Sequence, residues 1–282
     1  MGIRSFISSA FHSVCSCVGS ICRGIGGALG GTFLGGAISS FIGKIGLALP
    51  GPNIAAAILL VVGVVCKIAE SLGMKEKERD EPEELAFKAE KDKESKPEDF
   101  DSTEEYIKHL QQDIKISNEE KEKLDKMSPD EKSAYRATGA YLYAKACNEK
   151  LGFDTDGLKS PELVGITAEI LSDLAKIKDI LSPSDFVVYN KYLQANGMGM
   201  KEFSDYLHGC SVNLETFKNV KDALSNAMRE ITPGISDSDI SKNLYQMNEK
   251  VNETFSIGEQ RMKICHCLFW IEKNKIAAVL SK

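Results

Sequence analysis

The chain has 282 residues, of which 43% are hydrophobic and 27% charged, with a formal net charge of −6. This length suits one large or two ordinary domains, and the composition is ordinary for a soluble protein. The charge is uneven: residues 1–73 hold four basic residues and one acidic residue, whereas residues 74–282 hold 31 basic and 40 acidic residues. Because the larger part lacks a basic footprint, we predict no nucleic-acid partner.

The first 73 residues form an apolar segment, for which we consider four interpretations. A cleaved signal peptide has a short apolar stretch, whereas this segment stays apolar to residue 72. N-myristoylation requires Ser or Thr at position 6, where this chain has Phe6. The remaining interpretations are a membrane-inserting helical hairpin, which we favour, and a hairpin buried in the core of a soluble helical protein.

The first arm of this hairpin is an uncharged run of 20 residues from Gly24 to Gly43, bounded by Arg23 and Lys44. As a helix the run is about 30 Å long, which matches the hydrocarbon thickness of a bilayer. Lys44 then lies near the far end of the arm. The length therefore agrees with a membrane-inserting helix.

Small residues recur along this arm every fourth position, and residues four apart share one face of a helix. In water each glycine costs a helix up to about 1 kcal/mol relative to alanine. In lipid the backbone must satisfy its own hydrogen bonds, so the helix forms despite its glycines, and small residues let two helices approach closely. The predicted packing stripe consists of Gly24, Gly27, Ala28, Gly31, Gly35, Gly36, Ser39 and Gly43.

A turn and a second arm follow. Two prolines and a glycine cannot continue a helix, and the predicted turn consists of Pro50, Gly51, Pro52 and the N-cap candidate Asn53. Residues 54–66 are uncharged and apolar on every side, as in a helix buried in protein or lipid. They reach only about 20 Å, so this arm is short for a full span unless Lys67 snorkels.

The row of small residues resembles the glycine zipper of membrane-inserting and oligomerising proteins, over residues 24–46 only. The layout is also similar to that of secreted bacterial effectors and pore-forming toxins with an N-terminal hydrophobic hairpin, and to type III-secreted inclusion-membrane proteins. The resemblance implies a lipid bilayer as partner, homo-oligomers through the stripe, and a chaperone, immunity or secretion partner. It also implies a membrane-associated location, with secretion into a target-cell membrane.

The chain divides into three regions by composition. Residues 1–73 are the hydrophobic hairpin, residues 74–101 a charged linker or solvated helix, and residues 102–282 an acidic all-α domain. Helix-start signals recur in the last region, where Ser102, Ser117 and Ser128 each precede a glutamate by three residues. Similar signals begin at Ser160, Ser182 and Asp237, which gives an expected six to eight helices and no strands.

The final segment repeats apolar residues at helical spacing between Ile264 and Leu280, which predicts a last helix. We expect this helix to pack in the core. A membrane-surface helix, with Phe269 and Trp270 beside lysines, is the alternative.

The sequence offers little that points to catalysis. The four histidines have no partner at motif spacing, and no metalloprotease, phosphate-loop, hydrolase or kinase signature occurs. The cysteines are too sparse for a disulfide scaffold, and Cys265-His266-Cys267 lacks complementary ligands at zinc-finger spacing. We therefore predict no enzyme, no cofactor and no metal.

Two functions remain for the whole chain. The first is a membrane-active protein, a secreted bacterial effector or toxin whose hairpin inserts into a bilayer and permeabilises it while the helical domain controls delivery or insertion. The second is a structural or anchoring protein, such as a virion or secretion-apparatus component, that uses the hairpin for assembly.

Overall fold

The computed structural model describes residues 32–49, 54–76, 81–153, 165–210 and 213–253. These residues form α-helices and two 3₁₀ turns, Pro97–Asp99 and Pro183–Asp185, and no strand, so the predicted all-α class is confirmed. In the described residues the helices are α1 Thr32–Ala48, α2 Ile54–Ser71, α3 Pro82–Lys91, α4 Thr103–Gln112, α5 Asn118–Asp125, α6 Pro129–Lys150, α7 Ala168–Ile177, α8 Phe186–Ala195, α9 Met200–Leu207, α10 Leu214–Ile231 and α11 Asp237–Asn252.

Three predicted helix starts are confirmed by their caps. The hydroxyl oxygens of Ser102, Ser117 and Ser128 each accept a hydrogen bond from the backbone N–H three residues later. At Ser117 and Ser128 the glutamate at that third position also accepts from the backbone N–H of the serine, which completes a capping box. Such a cap stabilises a helix by about 1 kcal/mol.

The predicted start at Asp237 is also confirmed: the last described helix begins there, and Ser236 caps it. At Ser182 the structure differs in detail, because this serine begins a 3₁₀ turn and the α-helix itself starts at Phe186. Ser160 lies outside the described residues, as does the predicted last helix between Ile264 and Leu280.

Helix α2 is the central helix of the fold. It packs against α6 and α7, against the Pro183–Asp185 turn, and against α1 and α8. Its inward residues are almost completely inaccessible to solvent, including Ile58, Val61 and Ile68. The described part of the segment predicted as a separate hydrophobic head therefore shares one core with helices of the predicted body.

Helix α1 joins the same core through its bulky side. Ile38, Phe41, Ile42 and Ile45 are buried, and α1 contacts α7, α2 and α6. The Phe41 ring packs edge-to-face with the Tyr141 ring of α6, with centroids 5.8 Å apart and planes at 74°. This edge-to-face geometry is favourable for aromatic pairs. These four large side chains of α1 thus pack against protein in this structure.

Part of the segment predicted as a charged linker or solvated helix is built into the fold. Helix α3 covers Pro82–Lys91, and its Leu85, Ala86 and Ala89 are fully buried against α6. Its acidic and basic residues alternate with these apolar ones. The average composition of the segment is therefore charged, although one side of the helix is apolar and buried. The close approach of the two helices depends on Gly139 in α6, where an added Cβ would overlap the Pro82 backbone.

We expect Gly139→Ala to destabilise the protein by about 1–3 kcal/mol, because the methyl group would force α3 away from α6. The carbonyl carbon of Pro82 would lie 2.6 Å from the new atom. The matched control is Gly63→Ala in α2, where a Cβ meets nothing within 4 Å and the better helix propensity of alanine raises stability by up to about 1 kcal/mol. Urea unfolding measures both, and shifts of the same sign in the two variants would contradict the packing argument.

Candidate membrane-binding surface

The exposed sides of α1 from Gly36 to Leu47 and of α2 from Ala56 to Gly63 form a surface without a charged side chain, which we call the outer face. Among its residues Leu47 is 78% exposed, Leu59 46% and Leu60 41%. Large apolar side chains this exposed on two packed helices mark an interaction surface more often than scattered single ones do. The outer face consists of Gly36, Ser40, Gly43, Leu47, Ala56, Leu59, Leu60 and Gly63.

The described part of the predicted glycine stripe lies mainly on this outer face. Gly36 and Gly43 are exposed, and Ser39 is half-buried. A Cβ added at Gly36, Gly43 or Gly63 would meet no neighbouring group within 4 Å. Gly35 lies within α1. The glycines of the outer face therefore leave open space beside the helices.

The remaining predicted stripe and turn residues lie outside the described part of the chain. These are Gly24, Gly27, Ala28, Gly31, Pro50, Gly51, Pro52 and Asn53.

One ion pair ties the first arm of the hairpin to the body. Lys44 Nζ in α1 lies 3.2 Å from Glu169 Oε1 in the first turn of α7. The second carboxylate oxygen of Glu169 is buried and has no hydrogen-bond partner among the described residues. A partly buried pair of this kind is costly to break from one side only, because the remaining charge stays desolvated. The pair holds the single charge of the α1 arm at its contact with the body.

The base of α2 carries a second group of paired charges. Lys67 Nζ lies 2.8 Å from Glu70, and the buried Lys75 lies 3.9 Å from Glu70 and 3.7 Å from Glu81. These pairs stand at the end of the hairpin farthest from the turn. The uncharged stretch of the outer face is therefore bounded by lysines that already have carboxylate partners.

Helix α2 is long and apolar enough to cross a membrane, and half of its span is buried inside the structure. The central helix of a soluble protein passes the same test of length and composition. What sets α2 apart from an ordinary core helix is the pair Leu59 and Leu60, which the body leaves uncovered.

A cluster of polar side chains around His109 lies apart from the hairpin. No sequence motif predicted it. His109 Nδ1 lies 2.8 Å from Asp113, and its Nε2 lies 3.0 Å from Asp92 and 3.4 Å from Ser95 Oγ. Asp92 also accepts the backbone N–H of Ser95, and the Phe100 ring stacks on the imidazole with centroids 5.2 Å apart. The cluster therefore fastens the loop after α3 to α4.

This cluster has the residue types of a serine–histidine–aspartate triad, but the charges around the histidine do not suit that role. Burial lowers the pKa of the His109 imidazole, but hydrogen bonds and charges from Asp113 and Asp92 raise that pKa by more. Carboxylates at both ring nitrogens favour the protonated imidazole, which makes this ring a poor general base toward Ser95. We therefore assign His109 a structural role.

The other described histidine is also paired with an acid. His208 Nε2 lies 2.8 Å from Asp173, a buried residue of α7. No group of three or more histidine, cysteine or acidic side chains within the described residues could hold a metal ion. His12 and the Cys265-His266-Cys267 sequence lie outside the described residues. The expectation of no enzyme and no metal remains a prediction.

Comparisons with known proteins add no family to these observations: no family model, no curated protein and no solved structure matches this chain.

We expect the stability that His109 contributes to decrease as the pH rises. Its pKa is raised in the folded state, so the folded protein binds the proton more tightly, and the benefit is complete below the ordinary pKa of about 6.5 and lost above the raised value. The wild type should have a higher free energy of unfolding than His109→Gln. This difference should be largest near pH 6 and smallest near pH 9. A difference that does not change with pH would contradict this assignment.

Proposed function

We propose that the chain is a membrane-active protein whose α1–α2 hairpin binds a bilayer through its outer face and then inserts, permeabilising the target membrane. The observation that carries the proposal is the uncharged outer face with Leu47, Leu59 and Leu60 exposed. The helical body stores the hairpin and controls its insertion. A secreted effector or toxin fits this arrangement, in line with the resemblance in layout.

Binding through the outer face needs no unfolding. The three leucines already project into solvent, and burying each in lipid gains up to about 1.5–3 kcal/mol. The glycines beside them leave space, so lipid tails or a neighbouring helix can approach the backbone. The first step of membrane binding is therefore favourable for the folded protein.

Insertion requires the buried side of the hairpin to leave the body, and its energy depends on what replaces the body. The hairpin buries eight large side chains against the body. Exposing each to water costs about 1.5–3 kcal/mol, which gives about 12–24 kcal/mol in total. Most of this range lies above the total stability of about 5–15 kcal/mol that proteins have, so release of the hairpin into water is strongly disfavoured. Lipid tails are as apolar as the core and remove most of that cost. These side chains are Ile38, Phe41, Ile42, Ile45, Ile58, Val61, Val65 and Ile68.

The second candidate function is assembly, in which the outer face packs against another helix in a structural or anchoring protein. The observation that favours it is the open space beside Gly36, Gly43 and Gly63, which suits close contact between helices. Homo-oligomers through this face remain compatible with either function.

The membrane proposal predicts that Leu59→Asp combined with Leu60→Asp abolishes binding to vesicles of phosphatidylcholine and phosphatidylserine. Both side chains are exposed, so the fold should persist, while two carboxylates at the contact should lower the partition coefficient by at least about tenfold, or about 1.4 kcal/mol. Flotation with vesicles and release of an entrapped dye measure binding and permeabilisation.

The control for these two substitutions is Leu214→Asp combined with Tyr245→Asp. These residues are 58% and 64% exposed in α10 and α11, and the pair adds the same charge on helices outside the hairpin. The control should bind as the wild type does. Equal binding by all three proteins, or no binding by any, would rule out the outer face as a membrane contact.

Gly43→Leu separates membrane contact from assembly. The new side chain enters open space in the folded chain and adds apolar area, so binding to vesicles should be kept or strengthened. Close helix packing should be lost, because leucine holds the two backbones apart. Analytical ultracentrifugation with and without detergent measures the assembly. An unchanged oligomer in Gly43→Leu would exclude assembly through this part of the stripe.

A further inference from the structure

The Lys44–Glu169 ion pair lies at the edge of the outer face, where the hairpin meets the body. Lys44 Nζ in α1 is 3.2 Å from Glu169 Oε1 in α7, and 20% of the Lys44 side chain is exposed. Along α1, Lys44 adjoins the exposed Ser40 four residues before it and the exposed Leu47 three residues after it. A membrane that covers Ser40 and Leu47 therefore brings its headgroups within reach of the lysine ammonium group.

The carboxylate of Glu169 holds Lys44 through one of its two oxygens. Oε1 contacts the lysine, whereas Oε2 is buried and has no hydrogen-bond partner among the described residues. An ammonium group has three N–H donors, and a phosphate offers several oxygens that accept charge-assisted hydrogen bonds. A phosphate at the membrane surface can therefore compete with this carboxylate for the lysine.

Glu169 keeps a favourable environment when Lys44 leaves it. The glutamate lies in the first turn of α7, directly after the N-cap Thr167 and the first helical residue Ala168. The helix dipole stabilises a carboxylate at this end of a helix. Transfer of Lys44 to a phosphate thus leaves neither charge without a compensating group, whereas breaking the pair from one side only would strand a charge.

We propose that Lys44 exchanges Glu169 for the phosphate of an anionic phospholipid once the outer face lies on a membrane, and that this exchange releases α1 for insertion. The inference rests on the proposed membrane function and adds to it the lipid chemistry that triggers insertion. In phosphatidylcholine the choline cation of the headgroup competes with Lys44 for the phosphate. Phosphatidylglycerol has no such cation, so the exchange is selective for anionic lipid.

General attraction to an anionic membrane does not predict the same effect. The whole chain has a formal net charge of −6, so an anionic surface repels it on net charge. Lys44 is the only charged residue within α1. Anionic lipid should therefore leave the amount of bound protein unchanged or lower it, while each bound molecule inserts faster.

The test measures release of an entrapped dye per molecule of full-length protein bound. It compares vesicles of phosphatidylcholine alone with vesicles that also contain phosphatidylglycerol. For the wild type the release rate should be several-fold higher with phosphatidylglycerol. Inorganic phosphate added to phosphatidylcholine vesicles should not replace the anionic lipid, because only a phosphate at the membrane surface draws α1 toward the bilayer.

Exchanging the two charges separates the lipid contact from the ion pair itself. Lys44→Glu combined with Glu169→Lys keeps an ion pair between α1 and α7 but places a carboxylate on the hairpin. Since a carboxylate repels a phosphate, this protein should release dye no faster with phosphatidylglycerol than without it. Lys44→Met should also show equal rates on both vesicles, and it carries the test if the exchanged pair does not fold.

Glu169→Gln tests the other side of the pair. It should raise the release rate from phosphatidylcholine vesicles several-fold, because the carboxylate that holds Lys44 is gone while the hairpin is unchanged. Gly139→Ala is the control for lost stability, since it acts at the contact of α3 with α6. It should keep the wild-type ratio of the rates on the two vesicles.

Four results would overturn the exchange: equal wild-type rates on both vesicles, acceleration by phosphatidylglycerol that persists in Lys44→Met, acceleration by free phosphate, or an unchanged rate for Glu169→Gln. Any of these, with binding through the outer face intact, excludes the exchange and leaves the membrane function standing. No vesicle binding by any of the proteins would exclude the membrane function together with the exchange that rests on it.

Discussion

The fold depends on where an all-round apolar helix can be placed. Helix α2 has apolar residues on every side, and no polar face that could be left in water at little cost. The body covers one side through α6, α7 and the Pro183–Asp185 turn, while α1 covers part of the rest. Leu59 and Leu60 remain outside because these neighbours already occupy the inward side. The uncovered apolar surface is thus a consequence of the central position of α2.

The two sides of α1 have different structural roles. Its bulky side supplies Phe41 and Ile45 to the core, and this packing offsets the poor helix propensity of the glycines. Its small side limits the apolar area that the folded protein exposes to water, since glycine and serine contribute little. A glycine-rich helix that looks improbable in water is therefore stable here because tertiary packing on one side fixes it.

The helix starts could be predicted from the sequence because their signals are local. The long-range packing of the helices could not. A serine three residues before a glutamate specifies a cap by itself, as at Ser117. An all-round apolar helix is the same sequence in lipid and in protein, so the pattern left both placements of the hairpin open. Asp113 could have been found four residues after His109, but Asp92 reaches the ring across a loop and leaves no local signal.

The Lys44–Glu169 pair distinguishes a surface-bound hairpin from an inserted one. Contact through the outer face leaves this pair intact, because Lys44 lies at the contact between α1 and α7. Full insertion must separate the pair and carry Lys44 through the bilayer, where a lysine at the centre costs about 2.5–3.5 kcal/mol on insertion scales. Lys44 lies near the turn end of α1, so the cost is transient: it falls once that end reaches the far headgroups. Surface binding and insertion are therefore separate steps with a barrier between them, and this lysine contributes to the barrier.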